Sequence, residues 1–265
     1  MINTLKMDLY RFFRSVALYV ILGIIFITTV MVIYSFYLTT SPAIAESGIE
    51  LPAEILELLP HSVDGYFDGI FQGNFLVLFS VIFTVVFANA EFKNGFIKNI
   101  AALVPNRTMM VFSKLLVILL AIIMFHAITV LCLIAGCCGV IGMREVDNLG
   151  GIIVMVLMSI FMNWALSALT YMIFMFARKS ILPMVSSIVY VLMGSSAYML
   201  INLIIEKAFG ATEFAIEKYT VMGNMLYFVN SHAESTDIIR SLVVTTVVAA
   251  VSVVVSCVLM KKKDI

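Results

Sequence analysis

The chain alternates between long apolar runs and short polar stretches. Six apolar runs cover roughly 16–38, 71–90, 111–141, 150–176, 181–205 and 239–260. About 20 apolar residues suffice for a helix to cross the hydrocarbon core of a bilayer. Unpaired backbone groups are costly in lipid and the runs lack strict alternation, so each is predicted to be a helix rather than a barrel strand. The pattern predicts an all-α polytopic membrane protein with one transmembrane domain over 1–265.

Composition agrees with this class and excludes others. Of 265 residues, 63% are hydrophobic and 12% are charged, whereas soluble domains are about a quarter charged. An ordinary soluble fold and a disordered chain are therefore excluded. The formal net charge of zero argues against a nucleic-acid partner. No secreted disulfide framework is indicated, because the cysteines lie in or near apolar runs: Cys132, Cys137, Cys138 and Cys257.

The basic residues give the predicted bundle an orientation. One side holds Lys6, Arg11, Arg14, Lys93, Lys98, Arg107, Lys114, Arg178, Lys179, Lys261, Lys262 and Lys263. The other side holds only Arg144, Lys207, Lys218 and Arg240. The positive-inside rule then places both termini in the cytoplasm. The first run, 16–38, is longer than the apolar region of a signal peptide, so it is interpreted as a retained span.

The first fifteen residues have helical periodicity. One stripe is apolar and consists of Ile2, Leu5, Leu9, Phe12 and Phe13, while Lys6, Arg11 and Arg14 lie off it. This pattern predicts an amphipathic helix along the cytoplasmic membrane surface, either as a moving part or as a basic flank that only orients the first span.

A second amphipathic segment is predicted between spans two and three, over 92–104. Its apolar face contains Phe96, Ile97, Ile100, Leu103 and Val104. Pro105 ends the helix, because the residue before a proline disfavours the α region. Gly95 tolerates positive φ and permits a sharp turn out of span two. The segment is therefore predicted to form a short docking helix on the cytoplasmic side.

Together these features resemble a known family. Glu91, Gly95, Lys98, Pro105, Arg107 and Lys114, preceded by a basic amphipathic start and set among six spans, resemble an ABC-2 type permease. This is the membrane subunit of a bacterial ABC exporter, so the resemblance implies a multi-pass protein of the bacterial plasma membrane. It further implies an elbow helix over about 2–14 that carries Lys6, Arg11 and Arg14. A coupling helix over 92–104, including Phe96 and Asn99, would contact the ATPase.

The resemblance also implies partners. Two permease chains, identical or different, would assemble with two separate ATPase subunits. This sequence has no G-x-x-x-x-G-K-[ST] motif, so ATP and Mg²⁺ are expected on the partner and no cofactor on this chain. Eighteen Met and twenty Phe residues suit an amphipathic or hydrophobic substrate. Similarity to small peptide exporters suggests a cytolytic or antimicrobial peptide, such as a phenol-soluble-modulin-like toxin or a bacteriocin. Drugs and lipids are the alternatives.

Two outer segments are predicted between spans. A short helix before Pro60 places Glu50, Glu54 and Glu57 on one face, which is interpreted as solvated rather than as a peptide or metal site. The segment 206–238 mixes apolar residues with acids, and its apolar residues are predicted to pack against another surface. The segment would then form either a dimer contact or a lid. Exporters that the chain resembles carry short outer-gate helices at this place.

A few polar residues interrupt the spans. Asn89, Asn163, Trp164 and Ser195 are the pathway candidates, although interhelical hydrogen bonding or simple packing would also explain them. Span five carries small residues that permit close helix approach, and the resemblance implies that it faces the second permease chain.

The sequence gives little support for a catalytic function. His126 is interpreted as a packing group, and no zinc or nucleophile-elbow motif is present. An intramembrane enzyme and a non-transporting scaffold are the hypotheses from other classes.

Overall fold

The computed structural model describes residues 2–40, 62–93, 107–142, 146–177, 181–209 and 215–262. Within these ranges the chain is all α-helical apart from turns and short connections, and it contains no β-strand. Its α-helices are α1 (Ile2–Phe13), α2 (Val16–Thr40), α3 (Val63–Phe71), α4 (Phe75–Lys93), α5 (Thr108–Gly136), α6 (Leu149–Ala177), α7 (Ile181–Phe209), α8 (Val221–Tyr227) and α9 (Ser235–Lys262). A π-helical turn, Cys137–Ile141, extends α5, and a 3-10 turn, Ile216–Tyr219, precedes α8.

Six segments of the described residues are long and apolar enough to cross a membrane. They are Val16–Leu38, Val63–Ala90, Thr108–Gly139, Leu149–Ala177, Ile181–Ala208 and Ser235–Lys262, with mean hydropathy between 2.0 and 2.9. Each exceeds the length that a helix needs for one crossing. The prediction of an all-α polytopic membrane protein with six spans is therefore confirmed.

The second span begins earlier than the sequence predicts. It starts at Val63 instead of about residue 71, because α3 adds two helical turns before a short break at 72–74. Asp64 and Asp68 interrupt the apolar pattern of α3 and conceal it in the sequence. The Ser62 hydroxyl accepts a hydrogen bond from the Gly65 amide and caps the start of α3.

Other predicted boundaries differ less. Helix α4 continues to Lys93, so residues 92 and 93 of the predicted coupling helix belong to the end of the second span's helix. Helix α7 extends to Phe209 and α9 begins at Ser235, which shortens the predicted outer segment 206–238 at both ends. The remainder of the predicted coupling helix and the predicted helix at Glu50–Glu57 lie outside the described residues.

Helix α6 lies at the centre of the bundle. It packs against α4, α5, α7 and α9. The spans formed by α2, α7 and α9 are the least buried of the six. Lipid is as apolar as an aliphatic side chain, so an exposed apolar face on these helices carries little penalty in a bilayer.

Helix α9 approaches α6 through small side chains. All its buried residues except Met260 are small: Ser241, Thr245, Ala249, Ser252 and Ser256. Ser252 and Ser256 donate hydrogen bonds to carbonyl oxygens one turn earlier on α9, at 2.7 Å each. These two hydroxyls are satisfied within their own helix, so Ser252 and Ser256 can pack closely against a neighbouring helix without a partner from it.

The bundle has two distinct ends. We call the end that carries α1 and the start of α5 the α1 end. The opposite end, which carries α3 and α8, is the α3 end. Phe92 and Phe174 meet at the α1 end with ring centroids 5.1 Å apart, so α4 and α6 finish side by side.

Candidate functional site

Helix α1 packs against the bundle through one narrow face. Thr4, Asp8 and Phe12, spaced four residues apart, are buried. The Phe12 ring makes edge contacts with Phe83 and Phe87 of α4, at centroid distances of 5.9 and 6.5 Å. Phe13 of the predicted apolar stripe is half exposed, because the face that contacts the bundle is centred on Asp8. The placement of this helix along the membrane surface stays a prediction.

Asp8 is the residue that joins α1 to α5. Its carboxylate is fully buried and accepts a hydrogen bond from the Ser113 hydroxyl at 2.5 Å. The Lys114 ammonium and the Arg11 guanidinium each lie 3.8 Å from the same carboxylate. A buried charge requires opposite charges and hydrogen bonds around it to offset the loss of water. We call the group Asp8, Arg11, Ser113 and Lys114 the Asp8 cluster.

The Asp8 cluster lies beside the predicted coupling region. Lys114 of α5 contacts α1 through its ion pair with Asp8. Because it is only 1% exposed, it presents almost no surface to another protein. Arg107 immediately precedes α5 and is partly buried, while Glu91 lies in the last turn of α4. The other predicted coupling residues, Gly95, Phe96, Lys98, Asn99 and Pro105, lie outside the described residues.

The basic residues of α1 occupy different surroundings. Lys6 and Arg14 are exposed at the α1 end, and Arg14 stacks over Tyr10 at 4.6 Å. Arg11 is half buried, 5.9 Å from the centre of the Phe87 ring. Two of the three predicted elbow-helix cations thus remain accessible to a partner or to lipid headgroups.

A second polar cluster lies inside the bundle. His126 Nε2 is 3.0 Å from the Ser159 hydroxyl and 3.4 Å from the Asn163 amide nitrogen. His126 Nδ1 is 2.9 Å from the Ile122 carbonyl oxygen. A carbonyl oxygen can only accept, so Nδ1 carries the proton and Nε2 accepts from Ser159. All three side chains are buried. Because His126 lies on α5 while Ser159 and Asn163 lie on α6, the cluster links these two helices.

The four pathway candidates lie in separate surroundings. Asn163 is fully buried, and its Oδ1 has no hydrogen-bond partner within the described residues. Trp164 donates from its indole nitrogen to the Leu115 carbonyl oxygen at 3.0 Å. Asn89 is partly buried near the end of α4. Ser195 lines a cavity of about 620 Å³ together with Asn202, Glu206, Glu217 and Tyr227.

At the α3 end, two carboxylates for which the sequence predicted no role accept hydrogen bonds from distant parts of the chain. Asp64 accepts from the Asp147 amide at 2.6 Å. Asp68 accepts from the amide and the hydroxyl of Ser231, both at 2.7 Å. The Asn148 side chain donates to the Ser231 carbonyl oxygen at 2.8 Å. Two aspartates four residues apart in an apolar stretch were the available signal, since such residues lie on one helical face.

The outer segment before α9 is covered by its own chain. Met222 and Met225 of α8 are buried, and α8 packs against α6, α7 and α9. The Asn224 amide donates to the carbonyl oxygens of Lys218 and Thr220, and its oxygen accepts from the Ser241 hydroxyl at 2.8 Å. Much of the surface that this segment was predicted to need is thus supplied from within the chain.

The fold and these contacts define a multi-pass α-helical membrane protein. Among the residues described, His, Cys, Asp and Glu form no group able to hold a metal ion. The chain matches no protein-family model and no curated protein.

Proposed function

We propose that this chain is the permease subunit of an ATP-driven exporter of the ABC-2 type. The observation that carries the proposal is the Asp8 cluster. It joins an amphipathic N-terminal helix to the start of α5, directly after the segment 94–106 that links α4 to α5. A segment placed there can transmit force to two spans at once.

The contacts on either side of that segment suggest how the force would be distributed. Before it, α4 ends with Phe92 packed on Phe174 of α6. After it, α5 begins and is joined to α1 through Asp8. A partner that pushes on the segment would therefore displace the central helix α6 through α4, and α1 together with α5. Packed interfaces of this kind move as units between discrete arrangements.

In this mechanism the energy comes from a separate ATPase. ATP and Mg²⁺ would bind to two partner ATPase subunits, since this sequence has no P-loop motif. A second permease chain, identical or homologous, would complete the transporter. The little-buried helices α2 and α7 offer apolar faces for it. Both termini and the α1 end would then face the cytoplasm of a bacterial cell.

The proposed substrate is an amphipathic or hydrophobic molecule, with a membrane-active peptide preferred over a drug or a lipid. The buried residues are rich in Met and Phe, which adapt to varied apolar shapes. Addition of a cationic peptide that forms an amphipathic helix is expected to change the ATPase rate of the assembled transporter. A scrambled peptide of the same composition, whose apolar residues no longer share one helical face, is expected to leave the rate unchanged. Equal responses to the two peptides would reject the peptide as substrate.

The primary test is co-purification from the native host. A tagged chain extracted in mild detergent is expected to bring down a stoichiometric P-loop ATPase, and the complex is expected to hydrolyse ATP. Recovery of a stable chain without any ATPase would overturn the proposal and favour a scaffold. Recovery of an ATPase whose activity is unaffected by removal of this chain would also overturn it.

A further inference from the structure

An apolar cavity lies between α3, the end of α5 and the first half of α6. Its volume is about 360 Å³. The wall consists of aliphatic side chains, one phenyl ring and two cysteine thiols, and none of the residues that line it is charged. Small-molecule sites range from about 300 to 1,000 Å³ and usually place a few polar groups around the ligand. This cavity has the size for a slender ligand but no polar group to orient one.

The end of α5 shapes part of the wall. Helix α5 continues from Gly136 into the π-helical turn, and the chain then leaves through Gly142 at a positive φ of 78°. Cys137 and Cys138, the first residues of this turn, line the cavity. A π-helical turn is wider than an α-helical one and often occurs at functional sites.

The cavity opens towards the space that the bilayer occupies. Ile153 and Leu157 of α6 line it and are 52% and 60% exposed, and both lie within the fourth span. Water is a poor occupant, because a buried water needs two to four polar partners. An empty cavity forfeits dispersion contacts along its whole wall. In a bilayer, the molecules that can enter such an opening are the hydrocarbon chains of the lipids.

We propose that this cavity binds one acyl chain of a membrane phospholipid. The chain would insert between α3 and α6, and its headgroup would remain outside the cavity at the membrane surface. The inference depends only on the cavity and the membrane class of the protein, so it does not require that the chain be an exporter.

Photo-crosslinking with a labelled lipid tests this proposal. The full chain is placed in phosphatidylcholine vesicles that contain a trace of phosphatidylcholine with a diazirine at the end of one acyl chain. Peptide mapping after illumination is expected to find label concentrated at 137–138 and 149–157, above the level on the lipid-facing residues of α2, such as Val20 and Ile27. Equal labelling of the two regions would show ordinary bilayer contact and would overturn the proposal.

A pair of adjacent variants makes the test specific. Ile153→Trp should fill the cavity, whereas Val154→Trp adds the same side chain to an exposed neighbour that does not line it. Loss of contact for two methylene groups lowers affinity roughly tenfold. We therefore expect cavity labelling to fall by roughly tenfold or more in Ile153→Trp and to remain unchanged in Val154→Trp. Similar labelling of both variants would overturn the site.

Two further measurements separate cavity filling from misfolding and identify the occupant. Leu157→Trp blocks the same wall one helical turn later, so it replaces Ile153→Trp if that variant does not elute as a monodisperse protein. Competition distinguishes a lipid from a peptide. Unlabelled phosphatidylcholine already surrounds the protein in these vesicles, so an added amphipathic peptide should leave the cavity label unchanged. Displacement of the label by the peptide would overturn the lipid assignment and indicate a substrate site.

Discussion

Ser113 of α5 donates a 2.5 Å hydrogen bond to Asp8 of α1, across 105 residues of sequence. Lys114, the next residue, approaches the same carboxylate at 3.8 Å. A span and the short helix before the first span are thus joined by a buried polar contact. Its energetic importance and its role in the proposed coupling can be tested separately.

Asp8→Asn is expected to destabilise the protein by about 3–5 kcal/mol, because the buried Lys114 ammonium loses the carboxylate beside it. Denaturant titration in mixed micelles measures the change. Combination with Lys114→Met should cost less than the sum of the single variants, since contacting residues are energetically coupled. Simple additivity would contradict the contact.

Asp237→Asn provides the matched control for this experiment. Asp237 pairs with Arg240 at 2.6 Å, but both side chains are about one quarter exposed. Because this pair keeps part of its contact with solvent, its loss should cost less than the loss of the fully buried Asp8 pair. A loss as large as that for Asp8→Asn would show that the assay does not distinguish fully buried from partly exposed pairs.

Charge reversal tests the proposed coupling region. Lys98→Glu with Arg107→Glu is expected to reduce substrate-stimulated ATPase activity of the assembled complex without lowering expression. Lys261→Glu with Lys262→Glu makes the same charge change on exposed residues at the end of α9 and should leave the activity unchanged. Equal effects of the two pairs would argue against a specific role for the segment around Lys98.

Gly151 marks a close backbone approach at the α3 end. A Cβ at this position would overlap with the Ser231 carbonyl group, whereas one at Gly150 has its nearest neighbour 3.7 Å away. Gly151→Ala should therefore lower the melting temperature. Gly150→Ala should be neutral, or stabilising by up to about 1 kcal/mol through helix propensity. A greater loss of stability in Gly150→Ala than in Gly151→Ala would contradict the close approach of α6 to Ser231.

The polar cluster in the bundle predicts a contrast between two serines of α6. Ser159→Ala removes the hydroxyl that donates to His126 and should cost about 0.6 kcal/mol, the average for interhelical hydrogen bonds in membranes, and at most about 1.7 kcal/mol. Ser167 is equally buried, and its hydroxyl has no partner within the described residues. Ser167→Ala should therefore cost less. Equal losses in denaturant titrations would refute a stabilising role for the Ser159 contact.

Orientation can be measured with single cysteines in a cysteine-free background. His232, three residues before α9 begins, and Lys262, the last residue of α9, are both exposed. A membrane-impermeant maleimide on intact cells is expected to label His232→Cys but not Lys262→Cys, and permeabilisation should expose both. The opposite labelling pattern would invert the proposed topology and remove the α1 end from the cytoplasm.

The boundaries of the spans show how much of the structure the local sequence pattern could predict. Spans with an uninterrupted apolar run were predicted to within a few residues. The second span was predicted too short, because Asp64 and Asp68 resemble loop residues until their partners are known. Those partners lie at Asp147, Asn148 and Ser231, which no local pattern connects to α3.

The candidate site shows the same division. Periodicity predicted an amphipathic helix at the N-terminus, and α1 is present, but its central residue Asp8 had no predicted role. A lone aspartate near a basic segment has no distinctive spacing. Lys114 was predicted to act with the coupling residues, and that role stays a prediction; its burial against α1 could not be read from the sequence.

Hydropathy alone determined the class of the protein and its number of candidate spans, because every apolar run of sufficient length meets the same requirement of the bilayer. The tertiary structure decided which polar groups meet: Asp8 with Ser113, Asp68 with Ser231, and His126 with Ser159. In a membrane nearly every helix is apolar, so many packings satisfy the pattern of hydrophobic residues. The few buried polar groups require specific partners, and only the folded chain brings residues distant in sequence close enough to supply them.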